Sequence, residues 1–200
     1  MADKLAGAKL ARAAMRFAAR GRLPPLILMT DDERLTDPVA AASALPCGSM
    51  VILRARQPEH RRELAARLKP VARTQNLKLL IAGDAELAAR IGADGIHLAE
   101  VDAGQAAYWR ARHAHWIISV SAHSPRVLLA ARHADAVLIA PVFPTASHPG
   151  GATLGAMALR AIARHSPLPV YALGGIDART VQRLQGAKLA GIAAVGALAA

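Results

Sequence analysis

Short aliphatic runs alternate with segments of helical spacing along most of this chain. The runs are LILMT (26–30), SMVILRA (49–55), LKLLIA (77–82), GIHLA (95–99), WIISVSA (116–122), AVLIAPVF (136–143), PVYALGG (169–175) and GIAAVGA (191–197). They are apolar on both faces, the pattern of strands covered on both sides in a parallel sheet. Segments 59–74, 84–91, 125–133, 155–165 and 178–187 between them have helical character. Eight strands at roughly 20- to 25-residue intervals are more than an open doubly wound sheet of this length holds, and they predict an α/β fold, a closed (β/α)8 TIM barrel. Little chain follows the eighth run, so the last covering helix is expected to be missing or rudimentary.

Residues 1–22, MADKLAGAKLARAAMRFAARGR, stand apart as an extra N-terminal basic helix, with the barrel over 23–200. Leu5, Leu10, Met15 and Phe17 lie among six Lys or Arg residues. A secretory signal needs an unbroken apolar stretch of about 7–15 residues, and a membrane span about 20. Neither is present. The apolar face is mostly alanine, which suits packing on the domain or on a partner subunit better than lying on a membrane. Such a helix is placed to cover part of the gap left by the missing last helix, and a homo-oligomer stays open.

Composition narrows the class. With 200 residues, 54% hydrophobic and 3% aromatic, the chain reads as a single domain with an aliphatic core. Cys47 is alone, which excludes an intrachain disulfide and a cysteine metal cluster and makes a reducing cytoplasm the default. The net charge of +11 attracts phosphates. Its arginines are scattered through helical stretches and few aromatics accompany them, so a solvated surface and a small anionic ligand fit better than nucleic acid.

In such barrels the chemistry sits at the C-terminal strand ends. Those positions hold Thr30, Asp31 and Asp32; Arg54 and Arg56; Glu100 and Asp102; Ser119, Ser121 and His123; Thr145, Ser147 and His148; Gly174 and Gly175; and Gly196. ALGGID after the seventh strand, with Asp177 placed to cap the next segment, and AVGAL after the eighth offer backbone N–H groups to a phosphate. A simple tight turn is the alternative. His123 suits a general acid or base, or a cap of the segment that follows. His97 lies inside a strand and reads as a structural histidine with satisfied nitrogens.

The ordered set LILMTD, IGADGIHL, SVSAHS, APVFPTASHPG, LPVYALGGI and AVGAL, covering 26–198, resembles the thiamine phosphate synthase and TenI family. The resemblance implies a barrel that binds thiamine thiazole phosphate at the glycine loops. A synthase of this family joins that compound to a hydroxymethylpyrimidine pyrophosphate with Mg²⁺ assistance and loss of pyrophosphate. The TenI branch isomerises a thiazole phosphate carboxylate by proton transfer, and His123 aligns with its acid and base.

The match is uneven. Arg54 is kept on the second strand, Ile52 replaces a glutamine and Arg56 a lysine. The metal-binding Asn-Asp pair after the third strand aligns with Ala82 and Gly83, and Asp84 follows one residue later. Asp102 matches the second family aspartate. In the pyrophosphate loop Thr145 and Ser147 keep the hydroxyls, while His148 stands where a lysine is usual. Each loss falls on pyrophosphate, metal or pyrimidine. The pattern leans toward a TenI-like, metal-independent tautomerase, with a Mg²⁺-dependent synthase and a non-catalytic binder or regulator as alternatives.

Overall fold

The computed structural model describes residues 2–20, 23–145 and 150–198. Eight parallel strands close into a barrel in chain order: β1 (Leu26–Met29), β2 (Met50–Leu53), β3 (Lys78–Ala82), β4 (Gly95–Leu98), β5 (Ile117–Ala122), β6 (Ala136–Ile139), β7 (Val170–Ala172) and β8 (Gly191–Ala194). The ring closes where β1 pairs with β8, Leu26 opposite Ile192 and Leu28 opposite Ala194. Strand side chains such as Leu28, Ile52, Leu80, Val120 and Ile192 are fully buried. Each contributes about 1.5–3 kcal/mol of transfer free energy, which offsets the ordering of a long aliphatic chain.

The covering helices are α1 (Ala2–Ala14), α2 (Pro38–Ser43), α3 (Pro58–Thr74), α4 (Ala85–Arg90), α5 (Ala106–Arg112), α6 (Val127–Ala130) and α7 (Gly155–His165). Helices α2 and α5 were not among the segments read as helical. Asp37 accepts from the N–H groups of Val39 and Ala40 and Pro38 opens the first turn, so α2 carries a readable start signal. Segment 178–187 yields only a 3₁₀ turn, Thr180–Leu184, and segment 125–133 shrinks to the four residues of α6. β6 stops before Pro141, which has no N–H for a ladder. The chain then bonds to the loop after β7, Val142 N–H to Leu173 O and Phe143 N–H to Gly174 O.

After β8 the described residues hold a single 3₁₀ turn, Gly196–Leu198. Helix α1 packs against this turn and against Thr180–Leu184, burying Leu10 and Ala14, and its following 3₁₀ turn, Met15–Arg20, meets β8. It stands beside α2, where the eighth helix of a complete barrel covers the β8–β1 seam. No helix among the described residues is long and apolar enough to cross a membrane.

Candidate functional site

A cleft of about 1200 Å³ opens at the C-terminal ends of the strands. Arg54, Arg56, Ser121, His123, Thr145, Gly174, Gly175 and Gly196 line it together, although they come from five different strand ends. Asp84 and Asp102 do not line it. Ser147 and His148 lie outside the described residues.

At the β7–β8 side the wall is backbone. Gly174 and Gly175 have φ of 89° and 65°, in the left-handed region that glycine enters without strain. A Cβ on Gly175 would lie 2.5 Å from Pro144 O and 2.8 Å from Phe143 C, and one on Gly174 2.9 Å from Pro141 Cα. The glycines therefore let the loops after β6 and β7 close on each other. The N–H groups of Gly174, Gly175, Ile176, Gly196 and Ala197 have no acceptor among the described residues. Such convergent free donors can receive phosphate oxygens.

Asp177 fixes the next turn by accepting from Arg179 N–H at 2.8 Å and Thr180 N–H at 2.7 Å, and Thr180 Oγ1 donates to Gly175 O at 2.7 Å. Burial pushes the Asp177 carboxyl upward in pKa, but the Thr180 and Arg179 N–H groups outweigh it and hold the group below its ordinary value.

The β1–β2 side is built from charged side chains. Thr30 Oγ1 donates to Arg54 O at 2.9 Å and accepts Arg54 N–H at 2.8 Å, which locks the two strand ends together. Asp31 binds the guanidinium groups of both Arg34 and Arg54, and the Arg34 hydrogen bond holds its carboxyl well below the usual carboxylate range against the opposing effect of burial. Arg56 donates its N–H to Asp32 at 2.9 Å and pairs with Glu33 at 3.1 Å. The strand-two arginines thus face the cleft already held by the acids after β1. Sequence reading placed Asp31 and Asp32 at a strand end without assigning them partners, and Glu33 went unnamed.

Two histidines divide their work. His97 is buried inside the barrel, with Nδ1 2.9 Å from Ser119 Oγ and Nε2 2.9 Å from Ser121 Oγ. Burial first, and the Arg54 charge second, lower its pKa to about 4, so it is neutral at pH 7. Ser121 carries this buried pair up to the cleft wall.

His123 lies at the rim, where Glu100 accepts from both its backbone N–H at 2.7 Å and its ring Nδ1 at 2.5 Å. A carboxylate can only accept, so Nδ1 carries the proton and Nε2 is left as the basic nitrogen. Glu100 is the partner that the linear sequence did not assign.

Asp102, which aligns with a family aspartate, and Asp84, one residue past the other aligned position, are committed elsewhere. Asp84 caps α4 through Leu87 N–H at 2.9 Å and pairs with Arg61 at 3.2 Å, while Asp102 accepts from Gln105 at 2.8 Å. Among the described residues no group of three or more His, Cys, Asp or Glu side chains is placed to hold a metal ion. Mg²⁺ requires near-octahedral oxygen ligation, and Asp84 and Asp102, bound to these partners and outside the cleft lining, do not fit it here.

Parallel strands, a mouth of backbone donors without acceptors among the described residues and cleft-facing arginines and hydroxyls define a (β/α)8 barrel with a polar, cationic mouth. Residues 26–198 match the thiamine monophosphate synthase family, and the chain belongs to it.

A thiamine-phosphate synthase of Herpetosiphon aurantiacus is 32% identical over 176 residues, 81% of this chain and 81% of that protein. One from Latilactobacillus sakei is 30% identical over 142 residues, 69% of this chain and 63% of its own length. The first relatives are matched over less than two thirds of their length, as little as 42% in a bifunctional thiamine biosynthesis protein of Symbiobacterium thermophilum. A thiamine phosphate pyrophosphorylase from Pyrococcus furiosus shares the fold, with a TM-score of 0.71, 24% identity and coverage of 88% and 87% of the two chains. These relatives are named as synthases or a pyrophosphorylase, whereas the sequence pattern leaned toward a tautomerase.

Proposed function

We propose that this chain is a transferase of thiamine biosynthesis, joining a thiazole phosphate to a hydroxymethylpyrimidine pyrophosphate. The observation that carries this reading is the division of one cleft into two anion-receptive walls, with free N–H groups after β7 and β8 and arginines with hydroxyls after β2, β5 and β6. One phosphorylated ring needs only the first wall. Two phosphorylated substrates use both, and similarity to named synthases supports the same choice.

In this reading the thiazole phosphate is seated on the glycine loops with its ring nitrogen directed toward the middle of the cleft. The nitrogen lone pair forms a bond to the pyrimidine methylene carbon. The methylene C–O bond breaks and its electron pair leaves with pyrophosphate, so no proton has to move. Charge builds on the departing oxygens, and fixed donors there lower the barrier. Arg54 spends one nitrogen on Asp31 and keeps further N–H groups for the pyrophosphate, with Ser121 and Thr145 beside it on the cleft wall.

A second reading rests on the Glu100–His123 pair. An imidazole whose tautomer is fixed by a carboxylate is suited to moving a proton, which is the TenI-like isomerisation of a thiazole phosphate carboxylate. Purified protein offered both transferase substrates and, separately, the isomerase substrate distinguishes the two. Thiamine phosphate and pyrophosphate formed in equal amounts, and strongly reduced by Arg54→Ala, support the transferase. Isomerisation without any thiamine phosphate overturns it.

A further inference from the structure

The cleft contains one arginine that the β1 acids do not hold. Arg183 lines the cleft from the 3₁₀ turn Thr180–Leu184, and among the described residues it meets no carboxylate within ion-pair distance. Its guanidinium carbon lies 4.7 Å from the centre of the Phe143 ring. Phe143 in turn touches the glycine wall, donating its N–H to Gly174 O and leaving a Gly175 Cβ only 2.8 Å from its own Cβ.

The geometry of the turn aims this side chain. In a 3₁₀ helix residues three apart eclipse each other, so Arg183 stands on the same face as Thr180. Thr180 Oγ1 is bonded to Gly175 O, which makes that face the one turned toward the glycine loop. The far end of the turn is held from outside, because Arg160 Nη2 on α7 donates to Arg183 O at 3.1 Å and to Gln185 O at 2.8 Å. Backbone anchors at both ends and an aromatic face beneath the guanidinium reduce the entropy lost when the side chain meets an anion.

We infer that Arg183 is a specificity-determining residue that supplies a full positive charge to the phosphate seated on the N–H groups of Gly174, Gly175 and Gly196. Backbone donors alone accept any oxygen-rich group of suitable size. A cation beside them favours a doubly charged phosphate ester over the corresponding alcohol. The inference deepens the proposed phosphate seat and rests on it, and it holds for a transferase or an isomerase alike.

The test is calorimetric titration of the wild type, Arg183→Gln and Arg183→Lys with three probes: thiazole phosphate, its dephosphorylated alcohol and inorganic phosphate. Thermal unfolding confirms that each variant is folded. Arg183→Gln is expected to weaken thiazole phosphate by about 10- to 100-fold, the range for a charge-assisted hydrogen bond, with a parallel loss for inorganic phosphate. The alcohol should change by less than about twofold, and Arg183→Lys should recover part of the loss. Equal losses for phosphate and alcohol, or none for either, overturn the inference, as does the absence of phosphate binding by the wild type. If inorganic phosphate shows the Arg183 dependence while neither thiazole compound binds, this inference stands and the thiazole reading of the site fails.

Discussion

The two walls of the cleft use opposite means. After β7 and β8 the surface is largely peptide, with N–H groups of Gly174, Gly175 and Gly196 that carry no side chain of their own and a tight junction between the β6 and β7 loops. After β1 and β2 it is a mesh in which Asp31 pairs with Arg34 and Arg54, Glu33 pairs with Arg56, and Asp32 accepts the Arg56 backbone N–H. The peptide wall is preorganised for an anion and has little to give up on binding. The ionic wall must loosen an existing pair before its arginines serve a ligand fully, and it can be tuned by changing single acids.

The largest expected effect is on the peptide wall. Gly175→Ala drives a Cβ into Pro144 O and Phe143 at a positive φ, so either the loop junction opens or the strain is stored. The expected cost is roughly 3–5 kcal/mol, a fall in Tm on the order of 10 °C by thermal unfolding, with loss of phosphate binding. An alanine variant with unchanged Tm and affinity would show that the close approach is not needed.

Next comes the buried base of the cleft. The His97 pKa is lowered from 6.5 to about 4 in the folded protein. The unfolded chain therefore binds the extra proton between those values, and stability present above pH 6.5 is lost as the pH falls through the window to about 4. The loss is on the order of 3 kcal/mol and should appear in urea unfolding measured across that range. Replacing His97 with Gln should flatten this slope.

Much of this was legible in the chain. The double-faced apolar runs gave eight strands because a parallel barrel strand is covered inside and out. LGGI pointed to the peptide wall because glycine tolerates the positive φ that Gly174 and Gly175 adopt, and AVGAL because a residue without a side chain leaves its N–H uncovered. The pairing of charges was not legible. Arg54 and Asp31 lie 23 residues apart, as do Glu100 and His123, and only barrel closure decides which neighbouring loops meet. The commitments of the acids near the aligned metal positions were illegible for a related reason. A one-residue shift from Gly83 to Asp84 turns a carboxylate into a helix cap paired with Arg61, which alignment alone does not reveal. The short segment 180–184, read as part of a longer helix, became the 3₁₀ turn that brings Arg183 to the cleft.

Two smaller effects sharpen the contrast. In the transferase reading no proton is moved, so His123→Ala should lower thiamine phosphate formation by less than about tenfold. A general acid or base contributes roughly 10²- to 10⁴-fold, and a loss of that size in steady-state rates would shift the account to the isomerase. Asp31→Asn should release Arg54 and Arg34 and raise the affinity for inorganic pyrophosphate by about three- to tenfold in calorimetry. The same change removes a carboxyl held below its ordinary 3.8, so the stability it adds above that pH, and loses in stronger acid, should disappear.

The phosphate seat itself is tested most directly by following backbone amide resonances during titration with thiazole phosphate. The account expects the largest shifts at Gly174, Gly175, Ile176, Gly196 and Ala197, saturating together with a single affinity. Shifts concentrated at residues 31–34 and 54–56, with the glycine amides unmoved, would contradict it.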